Sequence, residues 1–319
     1  MVGLRGRSRG TLASGMRYLV QRALHGLGVV LGVSFIVFSL TWLRGDPVTV
    51  LVPLDTPPAE LDRLRHSMGL DRPFLIQYAD FLVHAVRGDF GTSLRLHTPA
   101  LPLVTQRLPA TLFLVGSALL FALLIALPLG VVAAMNYGRL PDLLARAVAL
   151  LGQSLAAPWV GLLLILVFAV QLRWLPSSGL SSPDGVILPA IVAGLYPAAG
   201  LLRLLRGGLL EVLTSEYIRT ARAKGLADRT ILLQHALKNA ALPTLTFLAL
   251  QVAFLLGNSV VAEALFAYPG MGRLAVDAMA ARDVPVIQAF VFVVAVVVVL
   301  SSLLVDGLYV WLDPRIRLA

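Results

Sequence analysis

Long uncharged apolar stretches are the feature of this 319-residue sequence that most restricts its fold. Six of them can supply the roughly 20 residues that a helix needs to cross a hydrocarbon core about 30 Å thick. They are residues 18–43, 108–137, 147–172, 188–202, 242–262 and 286–305. Because lipid cannot satisfy an unpaired main-chain N–H or C=O, each stretch must be helical where it crosses the bilayer. The sequence therefore predicts an all-α polytopic membrane protein with six transmembrane helices.

The overall composition agrees with a membrane protein. Hydrophobic residues make up 58% of the chain and charged residues 13%, against about 45–50% and about 25% in soluble domains. The stretch at 188–202 is short, and we expect its flanks to extend it while Arg203 and Arg206 snorkel to the membrane surface. Pro128, Pro158 and Pro197 can bend the helices that contain them.

The distribution of positive charge predicts the orientation. Most of the 26 lysines and arginines fall on the side that holds both termini, which the positive-inside rule assigns to the cytoplasm. The apolar region after Arg22 is longer than the roughly 7–15 residues of a cleaved signal, so we expect it to remain as the first membrane helix. The predicted division begins with a basic cytoplasmic arm at 1–17, a first transmembrane helix at 18–43 and an extracytoplasmic cap loop with short helices at 44–107. A permease core of five transmembrane helices follows at 108–311 and includes a cytoplasmic coupling loop at 207–241. The chain ends in a cytoplasmic tail at 312–319.

Several classes of chemistry are excluded by what the sequence lacks. There is no cysteine, which removes disulfides, thiolate metal sites and cysteine nucleophiles. The two lysines, Lys224 and Lys238, do not follow a glycine, so the phosphate-binding GxxxxGK[ST] loop is missing. No GxSxG or HExxH motif occurs, and Asp80 with His84 lacks further metal ligands. We expect neither an enzyme nor a cofactor or metal site on this chain. The net charge of +9 is spread along membrane-flanking positions, which favours anionic lipid over nucleic acid.

A basic segment between the fourth and fifth spans has helical spacing. Ser215 is placed to cap a helix that has Glu216 in its first turn, and Gly225 is placed to end it in a left-handed conformation. Asp228 is placed to cap a second short helix before Pro243 opens the next span. By periodicity alone, this pattern is equally typical of any amphipathic cytoplasmic loop.

The residues of this segment are more specific than their spacing. RTARAKGL at 219–226 and HALKNAALP at 235–243 resemble the cytoplasmic loop of permease subunits in ABC importers of the dipeptide, oligopeptide and nickel group. Further similar stretches follow in the family's order: Gly45-Asp46-Pro47, MGLDRPFLIQY at 68–78, GDFGTS at 88–93, EALFAYPGMGRLAVDAMAARDVPVIQ at 263–288 and LLVDGLYVWLDPRIR at 303–317. The chain departs from the family pattern at Arg219 and Thr220, which replace a Glu-Ala pair, and at Ser301 and Ser302, where an asparagine is usual.

The resemblance implies a type I ABC importer permease fold and a set of partners. These are a second homologous permease, two ATP-binding subunits that use ATP and Mg, and an extracytoplasmic solute-binding protein. The implied solute is a dipeptide, an oligopeptide or a related small solute. The loop would form the coupling site that enters a groove of the ATPase, through Tyr217, Arg219, Thr220, Ala221, Arg222, Ala223, Lys224, Gly225 and Leu226.

Polar residues inside the spans are candidates for the translocation path. Gln153, Ser154, Asn258 and Glu263 are the main ones, with Gln251 a further neutral residue. Glu263 could stand at the outer mouth of a path, because an ionisable group near lipid must face protein or water. The alternatives are pairing of Glu263 with Arg273 or Arg282, and ordinary interhelical hydrogen bonds for the neutral residues.

A stand-alone secondary transporter or channel is the alternative function. It would predict inverted repeats and ionisable groups near the bilayer midplane. The sequence has neither feature, because its charges cluster at the ends of the spans.

Overall fold

A computed structural model describes residues 7–43, 57–67, 71–180 and 182–312. Apart from one bridge that pairs Thr92 with Pro99, every regular element in these ranges is helical. The all-α prediction is therefore confirmed. The start of the basic arm, the Gly45-Asp46-Pro47 motif and residues 313–319 of the tail lie outside the described residues.

Five helices of the described chain are long and apolar enough to cross a membrane. They are Gln21–Leu40, Ala100–Met135, Pro183–Leu213, Pro243–Leu265 and Val284–Val305. A sixth span is obtained if Leu140–Ser154 and Ala157–Gln171, which meet at an angle of 107°, count as one bent span. Six spans were predicted, and this count is reached with one of them broken.

Pro158 explains the break. In a continuous helix the N–H of residue 158 would bond the carbonyl of Ser154, but proline has no N–H and its ring clashes with that carbonyl. The chain instead turns through Leu155 and Ala156, whose ψ angles of 132° and 126° are extended. Helix then resumes at Ala157 with Pro158 in its first turn, where a missing donor does no harm.

The chain divides into two compact units. The flanking unit, residues 1–107 and 274–319, contains α1 (Arg7–Leu43), α2 (Pro58–Ser67), α3 (Phe74–Val86) and α4 (Ala100–Thr105), with α13 (Val284–Leu312) from the C-terminal part. The central unit, residues 108–273, contains α5 (Leu108–Met135), α6 (Leu140–Ser154), α7 (Ala157–Leu164), α8 (Ile187–Leu213), α9 (Glu216–Ala223), α10 (Asp228–Thr230) and α11 (Leu237–Leu265). α12 (Met271–Ala280) begins in the central unit and ends in the flanking unit.

Aromatic side chains hold the flanking unit together. Phe35 and Phe38 of α1 pack against Phe74 and Tyr78 of α3, with ring centroids 5.1 to 5.7 Å apart. Tyr78 Oη also donates a hydrogen bond of 3.0 Å to the carbonyl of Leu31. α3 is thus one of the short helices expected between residues 44 and 107.

A buried carboxylate ties the GDFGTS segment to the start of α13. The hydroxyl of Ser93 donates to Asp283, and the main-chain N–H of Leu94 donates to Asp283 Oδ1 at 3.1 Å. Ser93 and Asp283 are both buried. The carboxylate of Asp283 therefore fixes this part of the cap loop at the first turn of a membrane span.

α8 is the centre of the central unit, and α5, α6 and α11 pack around it. Most of the residues in its most apolar 18-residue stretch are buried. Small residues allow the close approach: a Cβ on Gly194 would lie 2.6 Å from the carbonyl oxygen of Ala118 in α5. Such backbone proximity is the usual basis of helix association in lipid, where the hydrophobic effect does not drive helices together.

Candidate functional site

α9 is the helix of the predicted coupling site, and its termination follows the prediction. Gly225 has a φ of +81°, in the left-handed region that only glycine adopts readily. The N–H of Gly225 bonds the carbonyl of Arg222 at 2.9 Å, and the N–H of Leu226 bonds the carbonyl of Ala221 at 3.3 Å. These two bonds are the Schellman pattern, which satisfies the last carbonyls of a helix. The left-handed stop at Gly225 is confirmed.

Ser215 occupies the N-cap position of α9 as predicted, but it makes no side-chain cap bond, and the predicted cap at Asp228 is wrong. Ser215 precedes α9 in an extended conformation, but its Oγ donates to the carbonyl of Val212 at 2.5 Å and makes no cap bond. Asp228 lies inside α10, whose capping position is Ala227. In both cases the hydroxyl or carboxylate has another nearby partner, since Asp228 Oδ1 lies 3.6 Å from Arg222 Nε.

The second coupling helix is also not a separate element. α10 continues without a break through a π-helical turn, Ile231–Ala236, into α11. Pro243 lies inside α11 and does not begin it. The predicted coupling site therefore contains one short helix, α9, which a turn connects to the part of the α10–α11 helix that precedes the candidate span Pro243–Leu265.

α9 has one buried side chain, which packs inward, and a set of side chains that are exposed to solvent. Ile218 is fully buried, and Ile231, Leu232 and Ala236 are buried beyond the turn. The proposed coupling residues are exposed, with Ala221 half-buried. Tyr217 Oη accepts a hydrogen bond of 2.9 Å from Nδ2 of Asn239 in α11, which holds the two elements together. The buried side chain of Ile218 and the hydrogen bond of Tyr217 thus fix α9, while most of its other side chains are exposed.

Glu263, near the end of α11, is enclosed by donors. Its Oε1 accepts from the hydroxyl of Thr111 at 2.7 Å and of Ser259 at 3.3 Å. Its Oε2 accepts from the main-chain N–H of Gly272 at 2.7 Å and of Arg273 at 3.1 Å. The carboxylate is fully buried and lies at the positive N-terminal end of α12, where negative charge is favoured.

Two glycines make room for this carboxylate. A Cβ on Gly272 would lie 2.8 Å from Cα of Val260, and a Cβ on Gly270 would collide with the Glu263 carboxylate. The predicted partner Arg273 contacts Glu263 through its main-chain N–H, while Nη1 of its guanidinium donates to the carbonyl of Ala267 at 2.6 Å. The YPGMG turn is therefore folded around Glu263.

The other path candidates lie in two helices of the central unit, Gln153 and Ser154 in α6 and Asn258 in α11. Gln153 is half-buried and Ser154 exposed, both at the break between α6 and α7. Asn258 is exposed, and its Nδ2 donates to the carbonyl of Phe254 in its own helix at 3.0 Å. Among the described residues, no hydrogen bond links any two of the four candidates.

An ion pair between α6 and α8 was missed by the sequence analysis. Arg206 Nε and Nη2 donate to the two oxygens of buried Asp142 at 2.5 and 3.0 Å, and the N–H of Gly138 donates to Oδ2 at 3.1 Å. The guanidinium also lies 5.7 Å from the ring centroid of Tyr137. The expectation that Arg206 snorkels is wrong, because a fixed carboxylate at its own depth binds it in bidentate geometry. Asp142 in the first turn of a largely apolar helix, whose one other charged residue is Arg146, is the signal that could have indicated the pair.

Metal ligation finds no support in the part of the chain that the structure describes. That part contains no group of three or more His, Cys, Asp or Glu side chains that could hold an ion. Asp80 instead pairs with Arg72, at 3.0 Å between Oδ2 and Nη1.

Comparison with known proteins places this arrangement in context. Residues 126–318 match the model of the family described as binding-protein-dependent transport system inner membrane component, and residues 15–115 match its N-terminal model. Glutathione transport system permease protein GsiC of Escherichia coli K12 is 37% identical over 303 residues, which cover 95% of this chain and 99% of the relative. The Salmonella typhimurium protein of that name has the same identity and coverage.

A solved structure shows the same fold. It is the inward-facing MetNI methionine ABC transporter, with a TM-score of 0.55 and 20% identity, and the match covers 66% of this chain and 96% of that chain.

Proposed function

Because this chain belongs to the family of binding-protein-dependent transport system inner membrane components, we propose that it forms half of the translocation pathway of an ABC importer and that a second, similar permease forms the other half. The chain is a multi-pass permease subunit of such an importer. The alternative of a stand-alone transporter or channel is not favoured by its family or its relatives.

The observation that carries the mechanism is the largely exposed helix α9, which buried Ile218 and the Tyr217–Asn239 hydrogen bond anchor. ATP and Mg would be bound by two separate ATPase subunits, and α9 would enter a groove on one of them. A short helix tied to two membrane spans transmits displacement in both directions, so closure of the ATPases would shift α8 and α11. Each ligand must contact the two states differently for this shift to occur.

The solute is proposed to be a peptide or a peptide-like molecule. GsiC carries glutathione in its name, and glutathione is a small peptide. An extracytoplasmic solute-binding protein would deliver the solute. Both termini and α9 would lie in the cytoplasm, as the distribution of Arg and Lys predicts.

The path residues have two proposed roles. Gln153, Ser154 and Asn258 would line the pathway, since two of them are exposed and none is charged. Glu263 would act at the outer mouth by holding the YPGMG turn in place, because its carboxylate organises the main chain there.

Reconstitution tests the proposal directly. Vesicles that hold this chain, the second permease and both ATPases, supplied with the loaded binding protein, are expected to take up peptide only when ATP and Mg are inside the compartment that contains the ATPases. Omitting the ATPases is the matched control and should abolish uptake. Sustained uptake against a gradient by this chain alone, without nucleotide, would contradict the proposal.

A further inference from the structure

Gln251 is a buried polar residue in the middle of a membrane span whose acceptor oxygen is unused. Its side chain is 6% exposed. Within the described residues, Oε1 of Gln251 is the one buried side-chain oxygen or nitrogen without a hydrogen-bond partner. Leaving a buried amide oxygen without a hydrogen bond is unfavourable, because the lost bonds to water are not replaced. Such an atom in a membrane span points to a partner that the chain by itself does not supply.

The position of Gln251 on α11 shows where a hydrogen-bond partner for Oε1 would have to lie. Phe247, Gln251 and Phe254 are spaced by four and three residues and share one face of the helix. Phe247 packs on Gly200 of α8, since a Cβ there would lie 2.5 Å from its Cζ. The ring of Phe254 stacks on Tyr196 with centroids 5.2 Å apart. Gln251 therefore faces the turn of α8 between Tyr196 and Gly200.

α8 has a main-chain carbonyl without its usual helical donor next to this turn. It contains Pro197, which has no N–H to donate to the carbonyl of Ala193. The end of α6 meets the neighbouring face of the same turn, because a Cβ on Gly152 would lie 3.2 Å from Cβ of Ala199 and 3.3 Å from the carbonyl oxygen of Leu195. Since α6 stops at Ser154, the carbonyls of its last three residues have no donor within the helix, whereas the carbonyl of Leu151 still accepts from the N–H of Leu155.

We propose that Gln251, the Pro197 turn of α8 and the end of α6 form a binding site for the main chain of a translocated peptide, with Gln251 Oε1 accepting a hydrogen bond from a peptide N–H. This inference rests on the proposed function and adds to it a location and a mode of recognition. The site opens when α11 moves away from α8. The groups it offers are neutral carbonyls and carboxamides, among them half-buried Gln153.

An extended peptide fits these groups better than a membrane helix does. The main-chain N–H groups of a transmembrane helix are already bonded within that helix, so a second permease could reach Gln251 only with a side chain. An extended peptide carries free N–H and C=O groups along its length. The rings of Tyr196 and Phe254, which are 45% and 41% exposed, offer an apolar surface to side chains of varied shape. Recognition of the main chain would therefore tolerate different peptide sequences.

The test measures uptake by the complete complex, with its loaded binding protein, in vesicles. The probes are a tripeptide that the wild-type complex transports and the same tripeptide methylated on one main-chain nitrogen. The wild-type complex is expected to prefer the unmethylated peptide, and Gln251→Leu should reduce that preference by about 2- to 10-fold, the range of one net hydrogen bond. The contribution of the binding protein to the preference cancels between the two complexes.

A second readout separates binding from structure. Gln251→Leu should raise the ATP hydrolysed per peptide transported, while the ATPase rate stimulated by the binding protein and the Tm of the complex stay unchanged or rise. Thr244→Val is the matched control: Thr244 is buried in the same helix, but its hydroxyl already donates to the carbonyl of Ala240 at 3.2 Å. It should leave the preference for the unmethylated peptide unchanged.

Two results would overturn the inference. An unchanged preference in a well-assembled Gln251→Leu complex would show that Oε1 does not bind the peptide. Loss of the second permease on purification of that variant would show that Gln251 contacts the other subunit. Absence of ATP-dependent uptake by the wild-type complex would instead contradict the proposed function itself, before any variant is compared.

Discussion

Gly225 ends helix α9 in a conformation that other residues reach only with strain. No atom outside its chain neighbours lies within 4 Å of the place where its Cβ would be, so a side chain there meets empty space. Glycine is therefore required at position 225 for its backbone conformation and not for lack of space. A non-glycine residue in the left-handed region costs roughly 1–2 kcal/mol, and asparagine suffers least.

Gly225→Val should consequently shift the turn that presents α9. We expect co-purification with the ATPases and ATP-dependent uptake to fall together, by about 5- to 30-fold for a distortion of 1–2 kcal/mol. Gly225→Asn is the control, because it adds a side chain of similar size that accepts a positive φ. Equal losses in the two variants would mean that side-chain bulk, and not backbone conformation, is responsible.

Glu263 is required for its side chain, since its carboxylate accepts hydrogen bonds from four donors at once. Glu263→Gln keeps one carbonyl oxygen for the N–H groups of Gly272 and Arg273 but removes the negative charge at the start of α12. Glu263→Ala removes both, and each buried N–H left unpaired costs about 1–3 kcal/mol.

We expect Glu263→Gln to lower peptide uptake several-fold with little effect on assembly of the complex, and Glu263→Ala to lower both. Uptake and co-purification of the second permease are the two measurements. Glu211→Gln, which neutralises an exposed acid, is the charge control. If Glu263→Gln reduced uptake and assembly equally, the residue would be structural only.

At the scale of helices, the pair of Asp142 and Arg206 holds α6 against α8 near the ends of both. The side chain of Asp142 is 1% exposed and that of Arg206 is 18% exposed. Removing one member of a buried pair leaves a charge without a partner, which costs about 3–5 kcal/mol, whereas replacing both by apolar residues is often close to neutral.

Arg206→Met should therefore lower the Tm of the purified complex markedly, and the double variant Asp142→Leu with Arg206→Met should recover most of the loss. Asp80→Asn breaks an exposed pair with Arg72 and should change the Tm little, since exposed pairs contribute about 0–1 kcal/mol. A double variant as unstable as the single one would show that the charges themselves are needed for the fold.

The break after Ser154 is the other feature at this scale. Hydropathy predicted one span at 147–172, and the structure places two helices there at 107°. The local cause, Pro158, is visible in the sequence. The size of the bend is not, because a proline in a membrane helix is compatible with a mild kink, and the contacts of α7 with α8 and α11 decide between the two.

For the whole molecule, the topology can be tested without removing any native residue. The chain has no cysteine, so single cysteines introduced at chosen sites are the only thiols present. We expect a membrane-impermeant maleimide to label Thr98→Cys in intact cells, and to label Ala223→Cys only after the membrane is permeabilised. The parent chain without cysteine is the blank. Labelling of Ala223→Cys in intact cells would contradict the proposed orientation of α9.

The family and the number of apolar segments could be read from the sequence. RTARAKGL and the EALFAYPGMG stretch have enough specific residues to indicate the importer permease family, and the family comparisons agree. Gly225 was predicted correctly because a helix stop of this type depends on neighbouring residues alone. The side-chain cap bond at Ser215 and the cap at Asp228 failed because their side chains had competing partners within a few residues, which spacing does not rank.

What the sequence by itself determined was the solvent that each segment meets: uninterrupted apolar length decides which residues lie in lipid, and lipid forces them into helices. The tertiary structure alone decided which polar groups find partners. Asp142 and Arg206 are 64 residues apart in the chain, Thr111 and Glu263 are 152 apart, and Gln251 has an acceptor that none of its neighbours uses. These pairings depend on how the helices pack. Packing in a membrane depends on the fit of small residues between helix faces more than on the local sequence pattern of any one helix.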